Sequence, residues 1–121
     1  MNDPKILIIE DEPLIQNSLK KLLEKRGARV NAVSSGGAAI KLIMEQSFDR
    51  IICDLMLQDI SGFDVIEEAR QRYSASQISE IFIIITAYSS QQVIEKAKSY
   101  GCEVVSKPFG DMKSTLDLFM G

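Results

Sequence analysis

Two short stretches constrain this chain more than anything else in it: Lys5-Ile6-Leu7-Ile8-Ile9 and Ile81-Phe82-Ile83-Ile84-Ile85. A strand alternates its side chains between two faces, so a run that is apolar at successive positions can expose neither face to water. Such runs suit the centre of a sheet covered by helices on both sides. Elsewhere, short runs rich in Ile and Val alternate with amphipathic stretches at helical spacing, the signature of repeated strand–helix units and a parallel sheet. Strands are expected at 5–10, 29–33, 50–54, 81–86 and 103–106.

The stretches between them read as five helices. Leu14, Ile15, Leu19, Leu22 and Leu23 form a stripe that stops at Gly27. Ser34 or Ser35 can cap a second helix carrying Ala39, Ile40, Ile43 and Met44. A third, opening at Gly62, turns Val65, Ile66 and Ala69 inward, and a fourth is capped by Ser89 or Ser90, carries Val93, Ile94 and Ala97 and closes at Gly101. The fifth runs from Asp111 to Met120, and Arg72 to Ser79 reads as an extended exposed loop. Right-handed crossovers leave few ways to wind such a chain. The expected fold is α/β, a flavodoxin-like (βα)5 three-layer sandwich around a parallel five-stranded sheet of order 2-1-3-4-5.

A length of 121 residues suits one domain spanning 1–121, and 45% hydrophobic with 26% charged residues is globular composition. No apolar run approaches a membrane span, and the MNDPK start lacks the features of a signal peptide, so a cytoplasmic protein is expected. A net charge of −3 argues against nucleic-acid binding by this domain. The basic cluster Lys20, Lys21, Lys25, Arg26 and Arg29 reads as a solvated face. Cys53 and Cys102 stand in unrelated apolar contexts and read as small buried residues, not as a disulfide or zinc site. The chain has no histidine, which removes His-based acid–base catalysis, His metal ligands and any phosphohistidine of its own.

In an open parallel sheet, ligands bind beyond the carboxyl ends of the strands. Those ends carry Glu10 and Asp11 after the first strand, Asp54 after the third, Thr86 after the fourth and Lys107 after the fifth. Three acids in a row at 10 to 12 have two readings. Asp11 can be a helix N-cap, with Glu12 in the first turn and Pro13 near the start. Alternatively, clustered acids hold a hard cation, and magnesium characteristically takes one or two carboxylates together with waters and phosphate oxygens. A carboxylate beside such an ion can attack phosphorus, while Thr86 bonds a phosphoryl oxygen and Lys107 supplies a positive point charge.

At these residues the chain resembles the receiver domains of two-component response regulators. The resemblance runs from "KILIIEDEP" through "IICDLMLQDISGFDVI" and "IIITAYS" to "GCEVVSKPF". It implies that Asp54 is the phosphoacceptor, taking its phosphoryl group from a sensor histidine kinase or a histidine phosphotransfer protein. It implies a magnesium site at Glu10, Asp11, Asp54 and Met56, in which Asp11 binds directly, Glu10 acts through water and Met56 offers its backbone carbonyl. It also implies a switch hydroxyl at Thr86, a phosphoryl-contacting lysine at Lys107, a cis Lys107-Pro108 bond and a small residue at Gly62 beside the site. Such a domain catalyses its own phosphorylation and dephosphorylation without being a metabolic enzyme. A homodimer through the fourth helix, fifth strand and fifth helix is a further expectation, with Glu95, Lys96, Lys98, Asp111, Lys113 and Asp117 supplying mixed charge.

Three positions depart from the family's commonest pattern: Glu10 replaces an aspartate, Gln58 a proline, and Val104 the aromatic residue that swings inward on activation. Tyr88, two residues after Thr86, can take over that coupling, gate access to Asp54, or be an exposed loop aromatic. The competing reading is a degenerate receiver that acts as a constitutive dimerisation or docking module. An aspartate-nucleophile phosphatase would want a second acid where Met56 stands, and flavin phosphate would want a Ser/Thr/Gly-rich loop where this one is acidic.

Overall fold

The computed structural model describes residues 3–121, so Met1 and Asn2 of the MNDPK start lie outside the described residues. One sheet carries the strands β1 (Lys5–Ile9), β2 (Arg29–Val33), β3 (Arg50–Asp54), β4 (Phe82–Thr86) and β5 (Glu103–Ser106), all parallel, in the order β2-β1-β3-β4-β5. The expected fold and winding are therefore those observed. Strand alternation divides the core into two layers. Leu7, Ile9, Ile51, Cys53 and Ile84 face one side, while Ile6, Ile8, Ile52, Ile83 and Ile85 face the other.

Helices cover both layers. α1 (Pro13–Lys25) and α6 (Met112–Met120) bring Leu19, Leu23, Leu116 and Phe119 to the second. The first is covered by α2 (Gly36–Glu45), α3 (Gly62–Ala69), α4 (Ala75–Ile81) and α5 (Gln91–Ser99). Ser35 caps α2 by accepting from the Ala38 N–H, and Ser90 caps α5 by accepting from Val93. The first and fifth of these units close at Gly27 and Gly101, both at positive φ.

Four expectations need correction. Arg72 to Ser79 is not an extended loop: α4 makes six helices among the described residues. Ser74 accepts from the Gln77 N–H while Gln77 accepts from the Ser74 N–H, and Ile78 is buried beneath. Ile81 consequently ends α4 and does not begin β4. Three apolar residues of the helical stripes face outward, since Leu14 is 82% exposed and Met44 and Ile94 are each 37% exposed. Finally, Glu12 and not Asp11 is the N-cap of α1, and its side chain bonds no helix amide. No acid side chain at 10 to 12 therefore caps the helix.

Cys53 and Cys102 are buried and unbridged, as expected. Lys21, Lys25, Arg26 and Arg29 are exposed and Lys20 partly so, with Arg26 pairing to Asp117 on α6.

Candidate functional site

β1 leads directly into Glu10 and Asp11, β3 ends in Asp54, β4 ends in Thr86, and β5 continues into Lys107. Register makes these ends neighbours: Ile9 lies beside Cys53, Asp54 beside Ile85 and Thr86 beside Ser106. The ladders also run past the strands. Glu10 N–H donates to the Val33 carbonyl at 3.1 Å, and Lys107 N–H donates to the Thr86 carbonyl at 2.8 Å. The Lys107–Pro108 bond is cis. Gly62 lets α3 start hard against the end of β3, because a Cβ there would sit 2.7 Å from the Asp54 carbonyl oxygen.

Three of the side chains form one connected group. Lys107 Nζ donates to Glu10 Oε2 and to Asp54 Oδ2, each at 3.0 Å. Glu10 Oε1 accepts from the Glu12 N–H at 3.1 Å, and Asp54 Oδ1 accepts from the Met56 N–H at 3.2 Å. Glu10 is fully buried, Asp54 is 3% exposed and Lys107 is nearly buried. Asp11, partly exposed, completes an acidic trio whose carboxylate oxygens lie within 4.8 Å of one another.

Burial pushes the Glu10 carboxyl up to about 7, against the opposing pull of the Glu12 N–H and the Lys107 ammonium. Burial alone would lower the Lys107 pKa, but the hydrogen bonds it donates to Asp54 and Glu10, and the charges of those two groups, outweigh it and hold the ammonium above its ordinary value. Three carboxylates face one ammonium, an imbalance that a hard cation with oxygen ligands would relieve. The donor set fits magnesium in type and number.

Asp11, Asp54, Met56, Ala87, Tyr88 and Lys107 line a cleft of about 380 Å³ that opens to solvent. Thr86 is fully buried, and its Oγ1 accepts from the Tyr88 N–H at 3.0 Å. Met56 lies on the cleft wall with its side chain largely exposed, and Tyr88 is 71% exposed at the rim. Val104 is partly buried beside a separate hollow of about 450 Å³, also lined by Ser89, Ile94, Cys102 and Ser106. Sequence reasoning missed Gln16, whose Nε2 donates to the Glu10 carbonyl at 2.8 Å and to Ser34 Oγ at 3.2 Å, tying α1 to the acid turn. No motif marks it, because its partners come from two different loops. It also missed Asp59 in the loop after Asp54, which accepts from the Gly36 and Gly37 N–H groups.

An open, doubly wound α/β sheet with acids and a lysine gathered at the carboxyl ends of its strands defines a class of proteins whose chemistry lies at that rim. Within that class the chain belongs to the response regulator receiver domain family, whose family model matches residues 6–117. It is the signalling module on which two-component response regulators are built.

The chain is 31% identical over 105 residues to the transcriptional regulatory protein KdpE of Mycobacterium tuberculosis, covering 87% of this chain and 45% of that protein. It is 29% identical over 115 residues to ZraR of Escherichia coli K12, covering 93% of this chain and 25% of that one. The chain thus spans less than half the length of these relatives. Among solved structures, the non-phosphorylated HemR receiver domain of Leptospira biflexa matches with a TM-score of 0.85 at 29% identity, covering 96% of this chain and 90% of that one. The receiver domain of a sensor histidine kinase from Pseudomonas aeruginosa PAO1, described with a magnesium ion coordinated in its active-site cleft, matches with a TM-score of 0.80 at 26% identity over 99% of both chains.

Proposed function

We propose that residues 1–121 form a single receiver domain in which Asp54 takes a phosphoryl group from a phosphohistidine on a sensor histidine kinase or a histidine phosphotransfer protein. The observation that carries this reading is the Lys107 ammonium, held 3.0 Å from Asp54 Oδ2 and 3.0 Å from Glu10 Oε2 at the mouth of a cleft. It is a positive charge already in place for an incoming phosphoryl oxygen, with little reorganisation left to do.

In the transfer, a carboxylate oxygen of Asp54 attacks phosphorus and the bond to the donor's imidazole nitrogen breaks. That nitrogen keeps the bonding pair and, with the other ring nitrogen protonated, the imidazole leaves neutral. Lys107 then pairs with a phosphoryl oxygen, and Thr86 turns its hydroxyl toward another. Attack by water on the acyl phosphate later restores the carboxylate and releases phosphate, so the chain promotes both its own loading and its own resetting. Glu10, Asp11, Asp54 and the Met56 carbonyl would hold magnesium, which when bound adds positive charge where the phosphoryl oxygens gain negative charge.

The new charge gives Lys107 and Thr86 a partner in only one of two states, and so biases the face formed by α5, β5 and α6. Exposed Glu95, Lys96, Lys98 and Asp111 support a homodimer contact there, although Lys113 and Asp117 already pair with one another at 3.2 Å. The reading puts the chain in the cytoplasm, where such donors are charged from ATP. Among the described residues, no helix is long and apolar enough to cross a membrane.

Intact mass after incubation with acetyl phosphate tests the assignment. A single magnesium-dependent phosphoryl adduct is expected, absent in Asp54→Ala. A folded wild type that takes no adduct from acetyl phosphate or from a phosphohistidine donor would overturn it in favour of a docking module.

A further inference from the structure

The loop from Leu55 to Ser61 joins Asp54 to α3 and carries Met56 along the cleft wall. Its base is closed by the Gly62 N–H donating to the Leu55 carbonyl at 2.8 Å and by a bridge between Met56 and Ser61. Its far end is pinned by the capping box of Ser61 and Asp64. No proline stiffens the turn between these anchors, and Gln58 and Asp59 are both exposed. One side chain of the loop hydrogen-bonds to a different element. Asp59 Oδ1 accepts from the Gly36 N–H at 3.0 Å, and Asp59 Oδ2 accepts from the Gly37 N–H at 2.9 Å.

These are the first two amides of α2, which no earlier turn of the helix can satisfy. Ser35 serves the next, from Ala38, so the loop after the acceptor supplies two of the three side-chain bonds that cap this helix. The sequence of α2 makes room for the contact. A Cβ on Gly36 would lie 2.3 Å from Ile60 Cγ1, so the loop can settle there only against a glycine. The bidentate bond also holds the Asp59 carboxyl below its usual range, chiefly through the Gly36 and Gly37 amides.

We infer that Asp59 is a positioning residue for the divalent-cation site: by clamping the loop to α2 it fixes the backbone that presents the Met56 carbonyl. The inference rests on the proposed phosphoacceptor reading and extends it to a residue that touches neither phosphoryl group nor metal. A cation that draws on a backbone carbonyl needs that carbonyl already in place, because ordering a loop at the moment of binding is paid for in affinity. Supports of this kind typically change metal affinity about 10- to 100-fold when lost.

The experiment is a titration with manganous ion, followed by the loss of its free-ion paramagnetic resonance signal, on wild type, Asp59→Ala and Asp59→Asn. Asp59→Ala is expected to bind the ion about tenfold more weakly, and Asp59→Asn, which keeps one acceptor oxygen for the two amides, is expected to fall between. With saturating magnesium, the rate of phosphorylation by acetyl phosphate is expected to return to that of wild type. Both variants remove the same charge, so equal losses that vanish at roughly 1 M salt would mean bulk electrostatics alone and overturn the inference. Unchanged affinity alongside a lowered melting temperature would reduce Asp59 to a helix cap and also overturn it. Failure of the wild type to take a phosphoryl group on Asp54 would instead count against the underlying reading, while the manganese titration would still report on the clamp.

Discussion

Glu10 and Asp11 are neighbours in the chain with opposite surroundings, and their substitution separates the site's attractive and repulsive interactions. Asp11 faces two other carboxylates without a bond from Lys107, which goes to Glu10 and Asp54. In the absence of divalent cation, Asp11→Asn is expected to raise stability by about 0.5 kcal/mol, the scale of a partly exposed charge interaction. The check is a urea midpoint that moves up in chelator and loses that advantage in magnesium. Lys107→Met is expected to have the reverse effect and cost about 3 kcal/mol in chelator, because two buried carboxylates lose their counter-charge. A midpoint unchanged by that substitution would mean that solvent already screens the pair. The polar residues of this site were legible in the sequence as strand endings. The pairing of Lys107 with Glu10 was not, because it joins positions 97 residues apart.

At the scale of elements, the helices differ in how firmly they are attached. α5 buries only Ala97 fully, and Lys96 and the C-cap residue Tyr100 tie it to α3. Tyr100 stacks on Phe63, its hydroxyl donates to Glu67, and Lys96 lies 5.0 Å over the Phe63 ring. The Tyr100 hydroxyl holds the Glu67 carboxyl below its usual range, so this contribution is present above the ordinary carboxylate pKa and is lost as pH falls through the lowered one. Wild type is therefore expected to lose stability relative to Glu67→Gln across the acid range, as parallel urea titrations would reveal. Two curves of the same shape would remove Glu67 from the account. α4 makes a separate case. Its Ser74–Gln77 capping box stands in the sequence as S-x-x-Q, but the short apolar content after it lets the region read as a loop. Ser74→Ala is expected to cost about 1 kcal/mol, with amide exchange accelerating first across residues 75–81. Uniform acceleration over the whole chain would mean that α4 does not open by itself.

For the whole molecule, the sheet is stable only with both faces covered, so the two core layers are coupled through strands they share. Phe119, fully buried, anchors α6 on the layer opposite to α3 and α5. Phe119→Ala is expected to cost about 3–5 kcal/mol, with far-ultraviolet circular dichroism and tyrosine fluorescence falling along one urea curve. Separated curves would mean that α6 detaches before the sheet melts. The five strands, to within a residue or so, and the rim on which the polar residues gather could be read from the chain alone, because the period of two along strands and the turn residues at strand ends are short-range signals. Crossover handedness narrowed the winding to a few orders, and the family resemblance supported the choice of 2-1-3-4-5 among them. Only the tertiary structure decided that Leu14, Met44 and Ile94 face outward, because helical spacing ranks a stripe but the width of the sheet beneath determines how much of it is covered. It alone decided as well that no acid side chain at 10 to 12 caps α1, that Glu10 is buried with its carboxyl pushed up by that burial, and that Asp59 reaches α2. Burial, charge state and partner choice depend on which distant segments arrive at a point in space, and no local pattern carries that information.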